Sequence, residues 1–145
     1  MAIPKTIRLE FVTPERSIAH EDVDEVELPG EEGFLGILPG HAPLLAALKM
    51  GPMWFRKGNE KQYAFIAGGF AEVTADRVSV LAQVAERAED IDLARAEASK
   101  RRAEDRLGKT SSSASAVDHD VERARIAMLR ALARLQVARH SRTRG

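Results

Sequence analysis

"GGFAEVTADRVSVLAQVAERAEDIDLARAEASKRRAEDRL", residues 68–107, changes character in its middle. Up to Ala85, apolar and polar residues alternate in short runs that break at Thr74–Arg77, the pattern of two strands around a turn. From Ile91 to Gly145 there is no Pro, and Ala and Arg dominate, which favours helix. The change falls at Glu86, so a strand-forming unit over 1–88 is expected to give way to a helical unit over 89–145.

Towards the N-terminus the strand pattern continues. "IRLEF" (7–11) puts Ile7, Leu9 and Phe11 on one face and Arg8 and Glu10 on the other, and "VDEVELPG" (23–30) is a less regular strand that stops at Pro29–Gly30. "MWFRKGNEKQYAFI" (53–66) predicts a hairpin, with Gly58–Asn59 supplying the positive dihedrals of a tight turn. Many short strands at close spacing, without βα alternation, predict an antiparallel all-β sandwich. Between them lies "GEEGFLGILPGHAPLL" (30–45), in which Gly30, Gly33, Gly36, Gly40, Pro39 and Pro43 punctuate Phe34, Leu35, Ile37, Leu38, Leu44 and Leu45. It reads as a sharply bent, partly apolar loop, with Ile37 and Leu45 among the residues turned to the core.

Towards the C-terminus, a two-helix α hairpin is expected. Asp90 is placed as the cap of its first helix and Gly108 as the closing glycine. "TSSSAS" (110–115) is the connector, and Ser115-x-x-Asp118 imitates a capping box for the second helix. There Val117, Val121, Ala124, Met128, Ala131, Leu135 and Ala138 follow steps of four and three, a coiled-coil-like seam. The facing stripe of the first helix, Leu93, Ala96, Ala103 and Leu107, is thin. It offers about 5 kcal/mol before ordering costs of about 1–2 kcal/mol for each immobilised long side chain. Such a hairpin is marginal.

Bulk properties narrow the function classes. In 145 residues, 44% are apolar, enough for a core, and the 5% aromatic content makes that core aliphatic. The absence of Cys excludes disulfides, thiolate metal sites and cysteine nucleophiles. His20, His41, His119 and His140 have no ligand-like spacing, so no metal site is expected. No run is long and apolar enough for a membrane helix, and no signal-peptide pattern opens the chain, which reads as intracellular without direct membrane insertion. The zero net charge conceals a division: residues 1–90 carry 9 basic and 15 acidic side chains, residues 91–145 carry 13 and 7, and seven Arg follow Glu122 with no acid. The basic half suits an acidic surface. Nucleic acid is discounted because the helices lack interleaved aromatics. "GKTSS" (108–112) mimics the end of a phosphate-binding loop, but the required earlier Gly is Ala103, inside a helix. His41 has no carboxylate or nucleophile tied to it by spacing, so no catalytic residues are assigned.

"LPGEEGFLGILPGHAPLL", "GGFAEV", "VSVLA" and "AEDIDLARAEASKRRAEDRL", in this order and spacing, resemble the epsilon subunits of F-type rotary ATP synthases, counterparts of the mitochondrial delta subunit. The resemblance covers nearly the whole chain. It implies a non-catalytic central-stalk (rotor) subunit of a proton-translocating synthase, peripheral at the cytoplasmic face of the bacterial cell membrane. Its partners would be the gamma subunit and the membrane ring, met by a rotor contact loop of Gly33, Gly36, Pro39, Gly40, His41, Ala42 and Pro43. Its C-terminal helices would reach the alpha and beta subunits of the catalytic head and inhibit ATP hydrolysis, with Arg123, Arg130 and Arg134 as an inhibitory basic face. No cofactor is required, but ATP is a regulatory ligand of some bacterial members. The motif I/L-D-x-x-R-A falls here on Ile91, Asp92, Arg95 and Ala96, and Glu86, Arg102, Arg130 and Arg134 fall on assisting positions. The competing reading makes Asp92–Arg95, Glu97–Arg101 and Arg101–Asp105 ordinary pairs of a solvated helix. The alternative from another class is a free-standing ATP-sensing or helical interaction protein outside a synthase.

Overall fold

The structure, a computed structural model, describes residues 2–110 and 118–142. Among these residues, eight strands precede two helices: β1 Ile7–Val12, β2 Ser17–Val23, β3 Glu25–Gly30, β4 Gly33–Ile37, β5 Leu44–Leu48, β6 Gly51–Lys57, β7 Glu60–Val73, β8 Arg77–Arg87, α1 Leu93–Thr110 and α2 Asp118–Arg142, with a 3-10 turn at Ala88–Asp90. The strands follow the order β2-β1-β8-β7-β5-β3-β4, and β6 pairs with both β3 and β7. The expected β-sandwich followed by a helical pair is what forms. All pairings are antiparallel except one: β1 lies parallel to β8, with Leu9 opposite Val78 and Phe11 opposite Val80.

A corner turns this sheet into two layers. The register of β5 against β7, Leu48 opposite Gly69, runs unbroken into β6, Gly51 opposite Ile66. Residues 44–73 are thus one long hairpin, closed at Gly58 (φ +62°) and bent at Gly68 (φ +75°) and Gly69 (φ +130°) of β7. At Gly69 an added Cβ would lie 2.1 Å from the Leu81 carbonyl oxygen, so neither the dihedral nor the space admits a side chain. The sequence pattern suggested a new strand at Gly68; the glycines instead bend a continuous one. Inside the corner, Ile7, Leu9, Phe11, Val26, Leu28, Ile37, Met53, Ile66, Val73, Val78 and Val80 form a buried aliphatic core.

Four local expectations are corrected. The stretch 30–45 is not one loop: β4 pairs with β3 as a hairpin, Leu28 opposite Leu35, and the turn proper spans residues 38–43. Ile37 is buried as expected, but Leu45 is 71% exposed. Strand β2 carried no sequence reading of its own; it pairs antiparallel with β1, Leu9 opposite Glu21. At the helices, Asp92 is the cap in place of Asp90, its Oδ1 accepting the Arg95 backbone N–H at 3.1 Å. Gly108 sits within α1 without a positive φ, because the helix runs on to Thr110. Most of the connector 110–115, the Ser115 half of the capping box and Val117 lie outside the described residues.

The helical pair lies against the sandwich. Of the expected seam on α2, Ala124, Ala131, Leu135 and Ala138 are buried while Val121 and Met128 are half-buried, and Ala96 and Ala103 of α1 are buried. A second apolar cluster joins the two units: Phe65 of β7, Ala88, Ile91, Val137 and Ala138, with Met50, Tyr63, Ala67, Leu93 and Ala133 packed around it. Phe65 lies on the opposite face of β7 from the core residues Ala64 and Ile66, and α2 buries it completely. The Tyr63 ring stacks on His140, with centroids 3.7 Å apart and planes within 4°.

Candidate functional site

Where β8 ends, the 3-10 turn, α1 and α2 enclose a cleft of about 360 Å3. Its walls are Glu86, Asp90, Ile91, Asp92, Arg95, Ala96, Ser99, Arg102 and Arg134. Helical spacing explains the α1 wall: Asp92, Arg95, Ser99 and Arg102 follow steps of three, four and three, which align on one face. Seven of the eight residues placed in a nucleotide site from the sequence, Glu86, Ile91, Asp92, Arg95, Ala96, Arg102 and Arg134, therefore converge. Arg130 does not line this cleft; it is exposed, one turn of α2 before Arg134.

The charges of the cleft are unevenly compensated. Arg134 Nε donates to Glu86 Oε1 at 2.8 Å, and its guanidinium lies 4.8 Å from the centre of the Phe65 ring. Arg102 Nη2 donates to Ser99 Oγ at 3.0 Å. Among the described residues, Arg95 and Arg102 have no carboxylate partner. The pairs expected of an ordinary solvated helix are not those that form: Lys100 pairs with Glu104 at 3.7 Å, while Asp92 serves the helix backbone. The cleft thus holds a cationic wall on α1, an apolar edge at Ile91 and Ala96, and acceptors at Glu86, Asp90 and Asp92. This suits a ligand with phosphates and a planar polar group. The sequence reading missed Ser99 as a wall residue, although the helical period of its neighbours carried the signal.

The basic face on α2 is divided. Arg123 and Arg130 are exposed, whereas Arg134 is engaged with Glu86 and Phe65 in this conformation.

The residues assigned to a rotor contact loop fall on strand β4 and on the turn that follows it. Gly33 (φ +136°) and Gly36 belong to β4, while Pro39, Gly40 (φ +88°), His41, Ala42 and Pro43 form the turn into β5. Gly40 N donates to Ala75 O at 2.8 Å and His41 N to Leu38 O at 3.1 Å; His41 Nδ1 bonds Ala42 O at 2.7 Å. His41 therefore stabilises its turn. Phe34, Leu38 and Leu45 are each more than half exposed, and Phe34 and Leu45 line a groove formed by residues 30–35 and 44–47. No described helix is long and apolar enough to cross a membrane, and no described His or carboxylate cluster has the makings of a metal site.

Comparison with known proteins gives the family. The profile described as "ATP synthase, Delta/Epsilon chain, beta-sandwich domain" matches residues 6–88, and "ATP synthase, Delta/Epsilon chain, long alpha-helix domain" matches residues 89–139. The ATP synthase epsilon chain of Nitratidesulfovibrio vulgaris is 47% identical over 133 residues, covering 92% of this chain and 96% of that one. The epsilon chain of Bacillus velezensis is 46% identical over 134 residues, covering 92% and 98%. In fold, the chain is similar to one in the mitochondrial ATP synthase of Euglena gracilis, with a TM-score of 0.69 at 23% identity, covering 96% of this chain and 81% of that chain. Matched along both its strand and its helical halves, the chain belongs to the delta/epsilon family of ATP synthase subunits.

Proposed function

We propose that this chain is a non-catalytic rotor subunit in the central stalk of a proton-translocating ATP synthase, and that its helical pair is a nucleotide-controlled brake on ATP hydrolysis. The sandwich holds the gamma subunit and the membrane ring, the exposed apolar residues around 34–45 being its ring-facing surface. The helices, when they leave the sandwich, extend towards the alpha and beta subunits, where Arg123, Arg130 and Arg134 meet acidic side chains. The assembly places the chain peripherally at the cytoplasmic face of a bacterial membrane. Membership of the epsilon-chain family supports this place.

The cleft carries the regulatory part. Its walls come from β8, the 3-10 turn, α1 and α2, so it is complete only while both helices lie against the sandwich. A ligand that fills it stabilises that docked arrangement by RT ln(1 + [L]/Kd), about 2.7 kcal/mol at a hundredfold excess over Kd. ATP is the ligand that fits the guanidiniums, the apolar edge and the carboxylate acceptors together. ATP abundance then releases the brake and scarcity applies it. Titration calorimetry with ATP on the isolated chain tests this. Wild type is expected to bind, and Asp92→Ala and Arg95→Ala to bind at least tenfold more weakly. Absence of wild-type binding up to about 10 mM ATP would remove nucleotide control.

A further inference from the structure

We propose that Ser99 is a phosphate-binding and arginine-positioning residue of the cleft, and that it fixes which end of the cleft takes the terminal phosphates of a nucleoside triphosphate. The inference rests on the nucleotide reading of this cleft and extends it to a residue outside the motif. The charge pattern decides the polarity. Arg134 is already neutralised by Glu86 at 2.8 Å, and Arg130 is not in the wall. The uncompensated positive charge therefore belongs to Arg95 and Arg102, seven residues apart on one face of α1, with Ser99 between them.

A serine hydroxyl has one donor and two acceptor positions. Here one acceptor position takes the Arg102 Nη2–H at 3.0 Å, which orients an otherwise exposed guanidinium along the wall. The hydroxyl proton is then available to an anionic oxygen resting against Arg102, so the side chain accepts on one side and donates on the other. Holding Arg102 in place beforehand also reduces the freedom lost on binding. The β- and γ-phosphates accordingly lie along Arg95, Ser99 and Arg102, and the base lies towards Ile91, Ala96 and the carboxylates.

Calorimetry with ATP and with AMP, on wild type, Ser99→Ala, Ser99→Thr and Asp92→Ala, tests this assignment. Loss of a hydroxyl that serves a charged group is expected to weaken ATP binding about tenfold. AMP, which does not reach the phosphate end, should change little, so the ATP/AMP preference falls about tenfold. Thr retains the hydroxyl and should restore the preference to within about threefold of wild type. The melting temperature of Ser99→Ala should not fall, because Ala is the better helix former. If wild type and Ser99→Ala show the same ATP/AMP preference while Asp92→Ala loses binding, Ser99 is only a surface residue and the proposal fails. If wild type binds neither nucleotide, the reading of the cleft fails and this assignment with it.

Discussion

Arg134 holds a carboxylate, covers an aromatic ring and lines the cleft at once, which makes it the most informative single substitution. Its bond to Glu86 is partly exposed on both sides, so the pair contributes about 1 kcal/mol at most, with up to a further 1 kcal/mol from the Phe65 ring. Arg134→Ala should therefore loosen α2 without unfolding the strands. Hydrogen exchange is expected to quicken in α2, by up to about thirtyfold, and to stay unchanged in β8. Gly69→Ala should behave in the opposite way, destabilising the sandwich itself by about 3 kcal/mol or more through a dihedral and a backbone clash that nothing nearby can relieve. Denaturant unfolding of the isolated chain measures it. Residue identity told less about direction than about chemistry. Leu45 and Ile37 are equally apolar, yet one faces solvent and the other the core, because burial depends on which layer covers each side of β4 and β5. The cleft residues were more legible, since helical spacing fixes a face once the helix is placed.

Among the described residues, an apolar cluster joins the helical pair to the sandwich, and its size sets how separable they are. The core inside the strands contains no helix residue, while Phe65, Val137 and Ala138 belong to the joining cluster. A chain ending at Ala88 should therefore retain cooperative β unfolding, with Phe65 newly exposed. Molten near-ultraviolet dichroism from that fragment would show that the helices complete the fold. Replacing Arg123, Arg130 and Arg134 together with Ala should relieve inhibition of hydrolysis in the assembled complex. Salt should do so in the unmodified complex, since exposed charges are screened beyond about 10 Å at 0.1 M. Unchanged hydrolysis in the triple variant would clear these charges of any part. The helical seam was readable because steps of three and four leave few alternatives. The corner in β7 was not: a Gly-Gly pair marks a break as well as a bend, and only the unbroken register of its partners distinguishes them.

For the molecule as a whole, the parallel pairing of β1 with β8 has a consequence in time. Two neighbouring interior strands of the sheet come from opposite ends of the first 87 residues, so everything between them serves as their connection. Contacts this distant along the chain require a large loop to close before they repay its cost, which places the strand unit among slow folders. A chain emerging from the ribosome cannot complete the sheet until β8 is out. By then the face of β7 that carries Phe65 is open to the segment emerging next, and that segment is local, fast-forming helix. Folding should therefore be ordered: a slow phase that forms the sandwich, then docking of the helices onto a finished surface. Stopped-flow refolding followed at Trp54, on β6, should match the full chain and the chain ending at Ala88 in rate to within about twofold. A much slower rate in the shortened chain would mean that the helices are already recruited while the strands are still finding one another.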